Sequence, residues 1–220
     1  MRNALLSRGV LGRNKNIMLT IIYEKLFLII SEPFRLLSHV IIYYPNTRIG
    51  NFMRKIYYKS IIRLRIGKKP TIRRAVIIHR GAHVEIGDNF SIGPNVTIDP
   101  NYSFGVIIGN NVGISEGSFL RSSNHDYSDL SIPTADGWCK AKMLLTNDNK
   151  KASIIIEDDV WIAAHSIILS GARIRRGSIV SAGSVVSFEV PEYAIVAGNP
   201  ARIIANRKKI DFSKHNVGFR

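Results

Sequence analysis

The chain has 220 residues, 45% of them apolar, and 31 Lys and Arg against 16 Asp and Glu, a formal net charge of +15. That length suits one sizeable core with an appendage, and the single Cys139 excludes an internal disulfide and favours a reducing, cytoplasmic setting. The charge is uneven: residues 1–80 hold 17 basic and 2 acidic side chains and residues 81–220 hold 14 of each, so an anionic partner is expected for the N-terminal third alone.

Residues 1–16 read as a polar, basic tail. From Ile17 to Tyr44 the chain is densely apolar, with a break at Ser31–Pro33. Proline and a new N-cap there divide it into two short helices, Ile17–Ile30 and Pro33–Tyr43. Glu24 and Lys25 interrupt the first run too soon for a membrane span, and no small-residue cleavage site follows, so a signal peptide is not expected. A third helix places Ile49, Phe52, Met53, Ile56, Tyr57, Ser60, Ile61 and Leu64 on one stripe, with Arg54, Lys55, Lys59 and Arg63 opposite. Two readings stand for it. The basic face lies on an anionic membrane, or the apolar stripe packs on the rest of the protein. Such apolar helices suit lipid better than nucleic acid. Residues 1–70 therefore form a basic, apolar helical segment.

Beyond Pro70 the period changes. Ile156, Ile162, Ile168, Ile174, Val180 and Val186 recur every sixth residue, and four places after each stands a usually small one: Val160, Ser166, Ala172, Ser178, Ser184 and Val190. Six fits neither a helix nor an alternating strand; it is the period of a hexapeptide β-helix, three units to a triangular coil. The same register opens raggedly at Thr71, runs through Ile86, Ile92 and Ile98, shifts at Asn101–Gly105, and resumes at Ile108, Ile114 and Leu120. Phe90 and Tyr102 occupy corners where small residues are usual, which predicts that these corners are distorted or lie at an end. Residues 122–153 lose the pattern and read as a long loop ejected from the coil, the kind of segment that carries function. The coil spans 71–192. Residues 193–220 add a last strand, a turn at Gly198–Pro200, a short basic helix and a tail.

Of the six histidines, His39, His79, His83, His165 and His215 have structural explanations. His125, in RSSNHDYSD, stands where the loop leaves the coil. A histidine held on a loop by a rigid scaffold suits a general base, since imidazole exchanges protons near neutral pH. No acidic, cysteine and histidine cluster offers a metal site. Cys139 has no base beside it in any motif and reads as incidental.

The run IEDDVWIAAHSIILSGARIRRGSIVSAGSVVSFEVPEYAIVAGNPARII resembles the signature of hexapeptide-repeat acyltransferases. Within them it is similar to the galactoside, maltose and Nod-factor acetyltransferases and to capsule or O-antigen sugar O-acetyltransferases. The resemblance covers about Gly67 to Arg207. It implies a mainly β fold, a left-handed parallel β-helix, a homotrimer, and acetyl-CoA lying between subunits. Handedness comes from the resemblance alone, because right-handed crossovers are the rule. Residue by residue, the resemblance makes His125 the catalytic base and gives Asn95 and Trp161 to the acceptor sugar. It sets Ala164, Ala182 and Ser187 along the coenzyme A channel and Arg202 near the coenzyme's phosphates. Phe188 stands where a lysine is common and Ala163 where a glycine is, so phosphate binding falls to Arg202, Arg207 or Lys208. The expected activity is acetyl transfer to a sugar hydroxyl of a surface polysaccharide or its precursor. An N-acetyltransferase of a nucleotide-linked amino sugar and a non-catalytic adaptor are the alternatives.

Overall fold

Residues 65–198 wind as a triangular coil, and the sixfold repeat accounts for its strands outside the insertions that interrupt it, the largest at residues 122–153. One face stacks Arg65–Ile66, Val84–Ile86, Val106–Ile108, Ile154–Ile156, Arg173–Ile174 and Glu189–Val190 in parallel. The second face stacks Thr71–Ile72, Ser91–Ile92, Gly113–Ile114, Trp161–Ile162, Ile179–Val180 and Ala194–Gly198. The third stacks Ile77–Ile78, Thr97–Asp99, Phe119–Arg121, Ile167–Leu169 and Val185–Val186. This is a left-handed parallel β-helix of five complete rungs. The computed structural model describes residues 33–137 and 139–210, so the expected helix Ile17–Ile30, Trp138 and the tail beyond residue 210 lie outside the described residues.

The aliphatics at sixfold spacing fill the axis. Ile92, Ile114, Ile162, Ile174, Val180 and Val186 are all buried, as are Val160, Ala172, Ser178, Ser184 and Val190 at the following corners. The buried hydroxyls are satisfied: Ser166 donates to the Ala163 carbonyl at 2.8 Å and Ser178 to that of Pro191 at 2.7 Å. Corner residues take positive φ, at Asn89, Asn111 and Asp159 between the first two faces and at Asn95, Gly117, His165 and Gly183 between the second and third. Asn, Asp and Gly tolerate that region best, which accounts for much of their recurrence. Gly117 is doubly constrained. Its φ is +67° and a Cβ there would stand 2.3 Å from His165 Nδ1.

Five expectations need correction. The coil begins at Arg65–Ile66, not Thr71, because those residues pair with Glu85 and Ile86. Phe90 causes no distortion: it is buried, and its carbonyl accepts from Thr71 N at 2.9 Å within an unbroken ladder. The 122–153 segment holds two small antiparallel hairpins, Asn124–His125 with Cys139–Lys140 and Leu144–Leu145 with Lys151–Ala152. The expected short basic helix after Pro200 is strand Ala201–Asn206, antiparallel to Ala194–Gly198, followed only by a 3₁₀ turn at Arg207–Lys209. Pairing there covers the edge that the last strand of the second face would leave open.

The fifth correction concerns the helices. The chain divides into Met1–Ile41 and Ile42–Arg220 rather than at residue 70. Helix α1 covers residues 33–43. Helix α2, Arg48–Ile56, is N-capped by Thr47 and runs on as a π-helical turn, Tyr57–Ile61. Its apolar stripe is divided: Tyr57 and Leu64 are buried, and of the basic residues opposite only Arg54 is. Gly50, Arg54, Tyr57 and Tyr58 are buried, whereas Ile49, Phe52 and Ile56 face outward. The cause lies in the first rung, whose outer edge offers unpaired backbone groups. Arg54 donates from Nε to the Ile72 carbonyl and from Nη1 to that of Tyr44, each at 2.7 Å, and Tyr58 Oη donates to the Val76 carbonyl. Asn51 accepts from Ile72 N at 2.8 Å, and Asn46 from Arg74 N at 2.7 Å. The polar side of α2 is therefore a lid that satisfies the end of the coil. Burial pushes the Arg54 guanidinium pKa down, and its Nη2 lacks a partner among the described residues.

Candidate active site

His125 sits on a two-residue strand at the root of the ejected loop, with Cys139 directly across the ladder. Its Nδ1 lies 3.1 Å from the Gly137 carbonyl oxygen. A carbonyl only accepts, so Nδ1 carries the proton and Nε2 offers its lone pair to the exposed side. Gly137 is buried and packed: a Cβ on it would meet the Asp126 carbonyl oxygen at 2.4 Å. Asp126, next in sequence to His125, does not orient it. Its carboxylate accepts from Ser128 Oγ at 2.6 Å, Ser128 N at 3.0 Å and Lys140 Nζ at 3.1 Å. Those bonds, Ser128's first, hold the Asp126 pKa down to about 2. The carboxylate thus braces the loop in its ionised form.

The loop is tied to the coil at several further points. Lys150 Nζ reaches Glu85 at 2.8 Å. Lys142 N donates to Ser170 Oγ at 2.8 Å. Arg173 pairs with Glu157 at 2.9 Å while donating to the Leu145 carbonyl at 3.1 Å.

The other sequence-predicted residues fall on distinct edges. Asn95, Ala164 and Ala182 lie along the corner between the second and third faces. Ala164 and Ala182 hold equivalent positions on consecutive rungs, since Gly183 N donates to the Ala164 carbonyl at 2.9 Å. Asn95 occupies the positive-φ corner position that His165 and Gly183 fill on later rungs. Trp161 stands half-exposed on the second face, over Gly113, with Nε1 donating to Ser115 Oγ at 3.1 Å. It borders a shallow groove shared with Arg73, Pro94 and Glu116. Ser187 lies at the far side of the third face, on the edge from which His125 projects. One chain thus holds His125 and Ser187 on one edge and Asn95, Ala164 and Ala182 on another. The width of the third face separates them, on the order of 15 Å at 3.3 Å per strand residue. Of the basic residues, Arg207 is engaged with the Gly177 carbonyl at 2.5 Å, and Lys208 lies 3.9 Å over the Tyr193 ring. Arg202, on the added strand, is exposed and bonds the Ala201 carbonyl at 2.9 Å.

Sequence reasoning missed Gly137 and set Cys139 aside as incidental, since only the loop's return strand brings them to His125. The spacing from His125 carries no repeat from which that return could be read. Among the described residues no group of three or more His, Cys, Asp or Glu is placed to hold a metal ion.

A family model described as the hexapeptide repeat of succinyl-transferase matches residues 83–122 and 153–187, on both sides of the loop. A 2,3,4,5-tetrahydropyridine-2,6-dicarboxylate N-acetyltransferase of Staphylococcus aureus is 44% identical over 64 residues, 29% of this chain and 27% of that protein. The match therefore spans about a quarter of that curated relative. A hexapeptide-repeat containing acetyltransferase from Vibrio cholerae, solved with acetyl coenzyme A, is 26% identical with a TM-score of 0.59, over 73% of this chain and 80% of that one. A maltose O-acetyltransferase from Clostridium difficile is 20% identical with a TM-score of 0.60, over 82% and 88% of the two chains, and shares the fold. The repeat matched on both sides of the loop and the shared coil make this chain similar to hexapeptide-repeat acetyltransferases.

Proposed function

We propose that the protein transfers an acetyl group from acetyl-CoA to a sugar hydroxyl of a surface polysaccharide or its precursor. The observation that carries this reading is the pair His125 and Gly137, a solvent-facing imidazole with its tautomer set by a backbone carbonyl. His125 Nε2 takes the proton from the acceptor hydroxyl as that oxygen attacks the thioester carbonyl. The C–S bond then breaks, and coenzyme A departs as the thiol when the imidazolium returns the proton. A backbone N–H at a coil corner stabilises the developing oxyanion. Asn95 and Trp161 orient the acceptor. Ala164, Ala182 and Ser187 line the path of the coenzyme, and exposed Arg202 meets its phosphates.

Because these residues stand on different edges of one chain, the reading requires a homotrimer, in which the His125 edge of one protomer meets the Ala164–Ala182 edge of the next. A closed threefold ring makes every such contact identical. The basic N-terminal third supports a peripheral place at the inner, anionic face of a membrane. N-acetylation of an amino sugar is the second reading, favoured by the N-acetyltransferase likeness over 64 residues. Thiol release from acetyl-CoA with a panel of sugars and amino sugars, with product masses, tests both. An O-acetylated product establishes the first reading, an N-acetylated one the second, and no thiol release with any acceptor overturns both.

A further inference from the structure

Helix α2 carries two chemically different faces, and only one is used by the coil. On the other, Ile49, Phe52 and Ile56, at spacings of three and four, are 63%, 62% and 48% exposed, and Ile61 in the following turn is 60% exposed. Arg48, Lys55 and Lys59 are exposed beside this ridge. Between Glu32 and Glu85 the chain holds twelve Lys and Arg and no acidic residue. The inner face bonds the edge of the first rung, so the ridge lies on the side of the helix turned away from the coil.

The charges decide what covers it. A second copy in an isologous contact would set Arg48, Lys55 and Lys59 against their own equivalents with no carboxylate to pair them. Nucleic acid would match the charge and leave the apolar ridge wet. An anionic bilayer takes both, the ridge at the acyl boundary and the lysines among the headgroups. No helix among the described residues is long and apolar enough to cross a membrane, which fits a helix lying in the interface.

We infer that the outward face of α2 docks on an anionic lipid bilayer, with the N-terminal end of the coil toward the membrane. This gives a surface to the peripheral location proposed above, and its readout is binding, so it fails or stands independently of acetyl transfer. The test is co-sedimentation of the full chain with vesicles of phosphatidylglycerol or of phosphatidylcholine. The pairs Phe52→Ser with Ile56→Ser, and Lys55→Glu with Lys59→Glu, are compared with the unmodified protein, melting being recorded for each. All four side chains are exposed, so unchanged melting is expected.

Binding to phosphatidylglycerol is expected, on the order of tenfold weaker for either pair and weakened by salt. Phe52→Trp should shift its emission to the blue when those vesicles are added. The inference is overturned by equal binding of the pairs and the unmodified chain, by equal binding to both lipids, or by no binding to either. It is equally overturned if Phe52→Trp sediments with lipid without a blue shift, which assigns the contact to residues 1–41. A fall in oligomer mass on changing Phe52 and Ile56 would make the face an interface between copies, and that too overturns it.

Discussion

Which nitrogen of His125 carries the proton follows from one bond. The Gly137 carbonyl 3.1 Å from Nδ1 can only accept, so in the neutral ring Nε2 is the nitrogen left to serve as the proposed base. His125→Ala should lower turnover at least about a hundredfold, the contribution of a positioned base, and leave melting and oligomer mass intact. His165→Ala is the matched control: that ring is exposed over Gly117 at a corner, and its loss should leave turnover within about twofold. Gly137→Ala tests orientation separately. Its Cβ would collide with the Asp126 carbonyl at 2.4 Å, so the accepting carbonyl must move. Turnover should fall about tenfold with little change in KM for acetyl-CoA, a split that a purely structural lesion would not give. Unchanged kinetics would show that the bond does not set the ring.

The elements were legible in unequal degree, for physical reasons. The coil could be read because each rung repeats the same burial, so that Ile156 and Val186 announce one environment thirty residues apart. Helix α2 was visible as a helix, but the division of its apolar stripe between coil and solvent was not. Hydrophobic periodicity takes for granted that the apolar stripe faces inward, whereas the coil's open end presents carbonyls and amides that Asn51, Arg54 and Tyr58 satisfy. Tyr58→Phe removes the hydroxyl and leaves the buried Val76 carbonyl without it; melting should show a loss of about 1–3 kcal/mol. The hairpins of the loop were illegible because they are held by pairs far apart in sequence, such as Lys150 with Glu85. Lys150 first, and then Arg65, hold the Glu85 carboxyl below the usual carboxylate range. A depressed folded pKa means that this tether is fully present above the unfolded value of about 4.3 and is lost as pH falls through the folded one. The pair is partly exposed, so global melting should barely respond. Protection of the 144–152 amides against hydrogen exchange should fall between neutral pH and pH 3, and Glu85→Gln should be poorly protected throughout. A hairpin equally protected in both proteins at both pH values would show that Arg173 alone secures it.

At the scale of the whole molecule, the boundary between appendage and coil decides what may be removed. Composition alone sets it near residue 70, where the basic, apolar segment ends. The contacts set it at Ile41–Ile42, because Ile42 O accepts from Ala75 N at 2.8 Å and Tyr44 and Asn46 also take part in capping the first rung. Two truncations therefore have opposite outcomes. Removing residues 1–41 leaves α2, its hydrogen bonds and all five rungs, so the remaining chain should keep its melting temperature within a few degrees and its affinity for acetyl-CoA. Removing residues 1–66 strips the lid and the strand Arg65–Ile66. The backbone groups of Ile72, Arg74 and Val76, and the edge that Arg65–Ile66 had covered, are then bare. A flat parallel edge without a cap is a template for pairing with other chains, and a solenoid without its terminal cap loses solubility. The shorter protein should aggregate at micromolar concentration, with scattering mass rising with time. A soluble 67–220 fragment of stable mass would mean that the coil protects its own end and that α2 is there for its outer face alone.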